Sequence, residues 1–179
     1  MRISHIVWAA FLTAVLAPWA APALAVGATT TGHQEIQGGW IGALPCVPTT
    51  ATPEPGQPTT LRPYTCTSGT FWDGGWTGQT HFVATGTLDL VSGDASMTID
   101  ETFSGVATED RSHGTLHLLG TITLDGATST ARIHEVIVGG TGQLAEAVGD
   151  VVFEGTQISA VGGHGGYHGW WSRPSASHR

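Results

Sequence analysis

From Cys66 onward, runs rich in Thr, Val, Ile and Phe are broken at short intervals by Gly, Asp and Ser. Within the runs apolar and polar residues alternate, the period of a half-buried strand. The pattern predicts strands over 69–75, 80–91, 95–105, 115–124, 128–138, 150–160 and 167–173, with an eighth over 33–41. The breaks carry turn chemistry: Asp73-Gly74-Gly75, Ser92-Gly93-Asp94 and Asp125-Gly126. No helix of useful length is expected, although 143–148 has room for one turn. Seven or eight short strands imply an all-β fold, an antiparallel up-and-down β-barrel of about eight strands whose closure removes exposed edges. A flattened β-sandwich is the rival. A barrel of that size holds either a filled core or one small ligand.

Alternation also sorts the faces. In 95–105 one face carries Met97, Ile99, Glu101 and Phe103, and the other Ser96, Thr98, Asp100 and Thr102. In 115–124 one face carries Leu116, Leu118, Ile122 and Leu124. In 128–138 Ala131, Ile133, Glu135 and Ile137 share a face opposite Arg132, His134, Val136 and Val138. Glu101 and Glu135 therefore lie in register with apolar neighbours. If that face is the interior, both carboxyls must be paired, hydrogen-bonded or protonated, and are candidate ligand or acid–base groups. If they sit at a rim, solvent reaches them. The candidate ligand-binding residues are accordingly Glu101, Glu135, Met97 and Phe103.

The stretch 136–149, VIVGGTGQLAEAVG, is a β-branched run followed by a glycine cluster and a short link into the next β run. Gly139, Gly140, Thr141 and Gly142 read as a structural turn between neighbouring strands. Leu144, Ala145, Ala147 and Val148 form an apolar patch able to tuck under a barrel end. A phosphate loop is excluded: no helix of adequate length follows, and no Gly-Lys-Ser/Thr ending is present.

The run VIVGGTGQLAEAVGDVVFEG, 136–155, resembles the strand, GGTG and small-residue segment of the allene oxide cyclase and dirigent barrel superfamily, and more closely its uncharacterised secreted bacterial members. The likeness extends over 80–159 and departs at Leu144, where an aromatic residue is common. It implies a barrel, with either an allene oxide cyclase-like cyclase or isomerase activity or a dirigent-like guiding of a coupling reaction. It also implies a homo-oligomer. It transfers no functional residue, because only the turn motif aligns.

Ahead of the β region, 1–25 has the form of a signal peptide: Arg2, an apolar core over 6–16, Pro18 and Pro22, then Ala23-Leu24-Ala25. Residues 26–65 read as an N-terminal extension, with an irregular Pro/Thr-rich loop over 45–63, and 66–179 as the barrel domain. Export places Cys46 and Cys66 in an oxidising compartment and favours a disulfide between them. No later stretch is long and apolar enough to cross a membrane as a helix.

The net charge is −8 at pH 7 and the six cationic residues are all arginine. An acidic chain offers no basic patch to nucleic acid, and the lack of lysine excludes Schiff-base chemistry. No nucleophile elbow is present, so no catalytic residue is assigned. The nine histidines contain no HExxH pair. His164 and His168 are separated by a flexible glycine-rich link, and His117 and His134 are expected as cross-strand neighbours, but neither pair makes a metal site by itself. No metal or cofactor is called for. Trp72, Trp76, Trp170 and Trp171 are expected on adjacent first and last strands, as an aromatic seam or as a stacking surface. The chain thus reads as a secreted barrel binding a small, mainly apolar molecule without catalysis, with an enzyme of the resembled kind and a structural cell-envelope protein as alternatives.

Overall fold

A computed structural model describes residues 33–49, 56, 58, 60–156, 159 and 161–173. The expected signal peptide and most of the Pro/Thr-rich loop lie outside them. Ten strand segments follow one another: β1 (Gln34–Gly42), β2 (Cys46–Pro48), β3 (Leu61–Ser68), β4 (Thr70–Gly74), β5 (Trp76–Asp89), β6 (Ala95–Ala107), β7 (Ser112–Asp125), β8 (Thr130–Gly140), β9 (Val148–Thr156) and β10 (Gly163–Ser172). A single 3-10 turn, Gly142–Leu144, separates β8 from β9. Among the described residues no helix is long and apolar enough to cross a membrane.

The ten segments make eight staves. Gly42 faces Thr70 and Cys46 faces Cys66, four positions further along each chain, so β1 and β2 keep one register against β4 and β3. Trp72 faces Gly78 and Ser68 faces Phe82, again four positions apart, so β3 and β4 keep one register against β5. From β5 each strand pairs antiparallel with the next as far as β10, β10 pairs with β1, and β1 returns to β4. The sheet closes on itself as an eight-stave antiparallel barrel.

Two sequence-based boundaries shift. The barrel does not start at Cys66, since β1 and β3 are staves of the wall. The first and last strands of the β region are not neighbours either, because β1 lies between β10 and β4.

The interior is largely filled. At one end Trp76, Trp171, Ala107, Leu116, Leu144 and Ala147 pack together. Trp72 lies among four rings, with centroids at 4.9 Å to Phe103 and Phe153, 5.5 Å to Tyr167 and 5.9 Å to Trp76. The Tyr167 hydroxyl accepts from the Trp76 amide at 2.8 Å and donates to the Trp76 carbonyl at 2.9 Å, tying β10 to β5. Toward the other end Phe82, Ala84, Met97, Ile99 and Ile122 pack beside the Cys46–Cys66 disulfide. That bridge pins β2 to β3, and Cys66 Sγ lies 3.5 Å from Met97 Sδ.

Candidate functional site

The inward faces of β6 and β8 follow the alternation of their sequence. Met97, Ile99, Glu101 and Phe103 are buried, as are Ala131, Glu135 and Ile137, with Ile133 packed against both apolar clusters. Strand β7 runs between β6 and β8. On its inward series Leu116, Leu118 and Ile122 are buried, and at position 120 the residue is glycine. Gly120 faces Ile99 on one side and Glu135 on the other. A Cβ there would strike the His134 carbonyl oxygen and come within 2.7 Å of Glu135 Cγ. The absent side chain leaves a gap across β7, and the carboxyls of Glu101 and Glu135 meet in it.

Both carboxyls are out of solvent, with Glu101 4% exposed and Glu135 0%. Burial pushes Glu135 well above the ordinary carboxyl value, and the charge and hydrogen bond of Glu101 push it further. Burial also raises Glu101, but the Thr80 hydroxyl and Glu135 pull it back. Neither Glu135 oxygen has a partner other than the Glu101 carboxyl that it faces. Two carboxylates are both acceptors and cannot bond each other, whereas one proton between them makes a bond. Both carboxyls are raised and Glu135 the further, so a proton shared between them is favoured on Glu135.

A chain of hydroxyls approaches Glu101 from the other side. Trp72 Nε1–H can only donate, and does so to Thr70 Oγ1 at 2.8 Å. The Thr70 amide donates to Thr80 Oγ1 at 3.0 Å, and the two hydroxyl oxygens lie 2.8 Å apart. The Thr80 hydroxyl in turn lowers the Glu101 carboxyl, so Thr70 and Thr80 stand between Trp72 Nε1 and the acid pair.

Glu101 lines a cavity of about 40 Å³, and Glu135 stands behind it. The inner wall is Trp72, Phe82, Ile99, Ile122, Ile133 and Phe153, with Thr70 beside Glu101. The mouth lies between Gly42, Ala43 and Leu44 at the end of β1 and Ser159, Gly162 and Gly163 at the start of β10, beside Trp40. The Leu44 amide donates to the Ser159 carbonyl at 3.1 Å across one side of it. A Cβ at Gly162 would meet nothing within 4 Å. Just outside, Ile41 and Val161 are 62% and 92% exposed. A space of 40 Å³ takes a few water molecules, whereas a cavity that holds benzene is nearer 150 Å³. The interior thus has room for the head of a ligand, not for its body.

Of the four candidate ligand-binding residues, Glu101 alone lines the cavity. Met97 packs in the disulfide-side cluster and Phe103 stacks on Trp72 and lies tilted against Trp76, so both are wall rather than lining. The glycine stretch forms a turn. Gly139 and Gly140 end β8, Gly142 has φ +63° and opens the 3-10 turn, and Thr141 Oγ1 lies 2.7 Å from Thr115 Oγ1. Leu144 and Ala147 are buried at the barrel end, while Val148 is half exposed. Trp72, Trp76 and Trp171 point inward, and Trp170 lies on the outer face, stacked on His33 at 4.7 Å. His117 and His134 are not cross-strand neighbours: His117 faces Gly139 and His134 faces Thr121. Each instead meets an aspartate on the outer surface, His117 with Asp100 at 2.9 Å and His134 with Asp150 at 2.7 Å. Among the described residues no cluster of three or more metal-binding groups occurs. The Thr80–Thr70–Trp72 chain and the role of Gly120 were missed. Their one sequence signal is a glycine interrupting the inward leucine and isoleucine series of β7.

No family model and no curated protein matches the chain. A solved structure does. It is a protein of unknown function from the DUF3224 family of Shewanella oneidensis MR-1, similar in fold with a TM-score of 0.60. The match covers 79% of this chain and 99% of that one at 14% sequence identity. Likeness at that identity speaks for the shared barrel alone.

Proposed function

We propose that this is a secreted β-barrel that binds a small, mainly apolar molecule at the barrel mouth and holds it without catalysis. The observation that carries the reading is the cavity: apolar walls, small residues at the entrance, and one acceptor, Glu101, at its base. Apolar walls with few, placed polar groups are the usual make-up of small-molecule sites. The disulfide favours the extracellular assignment.

The test is a titration of the full chain with short, thin amphiphiles of one chain length and different head groups, followed by tryptophan fluorescence. Trp40 and Trp72 line the site and report on it. Saturable binding is expected in the wild type. Gly162→Trp, which fills open space at the mouth, is expected to abolish it while leaving the thermal midpoint within a few degrees. If no probe saturates, the binding reading falls and a plugged barrel with a structural role takes its place.

The allene oxide cyclase and dirigent resemblance supports a second reading, and one observation favours it. Two buried carboxyls in contact, with Glu135 raised further than Glu101, put the better proton holder beside the better proton acceptor, as a cyclase or isomerase would use. Turnover of a bound ligand, lost in Glu101→Gln, distinguishes it from simple holding.

A further inference from the structure

If the mouth binds a small molecule at all, the charges around it narrow which one. Among the described residues lining the cavity Glu101 is the one titratable side chain, with no Lys, Arg or His beside it. Its partners are the Thr80 hydroxyl and the Glu135 carboxyl. An ionised carboxylate has about four acceptor positions, so part of its capacity is left toward the cavity. Four aromatic side chains, Trp40, Trp72, Phe82 and Phe153, line the same space, and the negative faces of aromatic rings attract cations. Among the described residues no cation meets this buried acceptor, and small residues stand at the mouth.

We propose that the site takes a primary ammonium on a thin, unbranched apolar chain, with its nitrogen at Glu101 and its tail leading out past Gly162. The proposal rests on the binding reading above and deepens it. The binding step is an association with no covalent bond made or broken: the ammonium donates to the Glu101 acceptor positions left free by Thr80 and Glu135, and the tail covers Ile41 and Val161 outside. An alcohol of the same length can donate one hydrogen bond but brings no charge. A carboxylate of the same length places a second anion against the first and is repelled. The small cavity volume selects against a branched or aromatic group at the head.

Hexylammonium, 1-hexanol and hexanoate, titrated separately into the full chain at pH 7, test this by tryptophan fluorescence. Hexylammonium is expected to bind about tenfold or more tightly than 1-hexanol, as a charge-assisted hydrogen bond does over a neutral one, and hexanoate not to bind over the same range. In Glu101→Gln the two remaining ligands should converge. A readout on the wild-type chain guards against a variant that fails to fold. Acidification protonates Glu101 while hexylammonium stays charged, so the preference should shrink reversibly as the pH falls. Glu135 is the titratable group facing Glu101 in this interval. Equal affinity for hexylammonium and 1-hexanol at pH 7, or a preference that survives both Glu101→Gln and acidification, overturns the proposal while leaving a binding barrel. Saturation by none of the three overturns the binding reading with it.

Discussion

Replacing Glu135 by glutamine tests the carboxyl pair through stability. In the folded barrel burial, and after it the Glu101 charge, hold the Glu135 carboxyl well above its ordinary 4.5. Unfolding exposes it to water and returns it to that range. Below pH 4.5 both states keep the proton, and Glu135 adds nothing to the pH dependence. Above it the unfolded chain releases the proton and the folded one retains it, so the unfolded state gains. Each pH unit in that interval removes about 1.4 kcal/mol of stability. From about pH 4.5 to 7 the ceiling is about 3 kcal/mol, reached when the proton is held throughout; the loss ends where the pH passes the folded-state value. Glu101, raised in the same direction, adds to the slope. The glutamine side chain would keep the shape and an N–H donor for Glu101, and it does not titrate. Glu135→Gln should therefore flatten the curve and be the more stable protein at pH 7, by up to about 3 kcal/mol, with the two proteins alike near pH 4. Urea unfolding at steps from pH 4 to 7.5, read by tryptophan fluorescence with the disulfide intact, measures both curves. Parallel curves would refute the reasoning, because they would mean that Glu135 loses its proton as readily folded as unfolded.

Three further outcomes are expected. Tyr167→Phe leaves the buried amide and carbonyl of Trp76 without their shared partner, and should cost roughly 1–3 kcal/mol in urea unfolding. Reduction of Cys46–Cys66, which spans 20 residues, should lower stability by about 3 kcal/mol on the chain-entropy model, read as the shift in urea midpoint with and without reductant. Gly120→Ala puts a methyl group against the His134 carbonyl and Glu135 Cγ, so its thermal midpoint should fall by the equivalent of about 1–3 kcal/mol; an unchanged midpoint would mean that the gap across β7 is slack.

The inward faces of β6 and β8 were legible because every second residue obeys the same rule over a whole strand. That Glu101 and Glu135 meet was not, since a strand separates them and their contact depends on a side chain missing from it. Strand β1 was only half visible: its inward positions 38, 40 and 42 read Gly-Trp-Gly, and the glycines serve neighbours rather than a period. A Cβ on Gly38 would come within 2.5 Å of the Tyr167 ring. The first three residues of β3 fall in the stretch 45–63 that reads as loop, because its prolines and threonines look irregular, yet Pro63 sits in register opposite Thr87. The histidine pairing failed because His134 lies opposite Thr121, four positions from His117, a gap that the one-residue irregularity beside His117 does not account for. Strand β8 carries an irregularity opposite His117 and Leu118, which face Gly139 and Ile137 and leave Val138 over. A shift of one residue there moves every outward partner, and no local pattern announces it.

The closure between β1 and β10 sets the order in which the chain can become a barrel. Gln34 pairs with Trp171, 137 positions later (171 − 34). The hairpins from β5 to β9 can form as they are made, each from neighbours in sequence, but β1 has to wait for β10. Until then β9 and β1 both present unpaired edges able to capture a strand from another molecule. Pairings so distant in sequence belong to the slow end of folding rates. A chain cut after β9 would therefore remain an open, adhesive sheet.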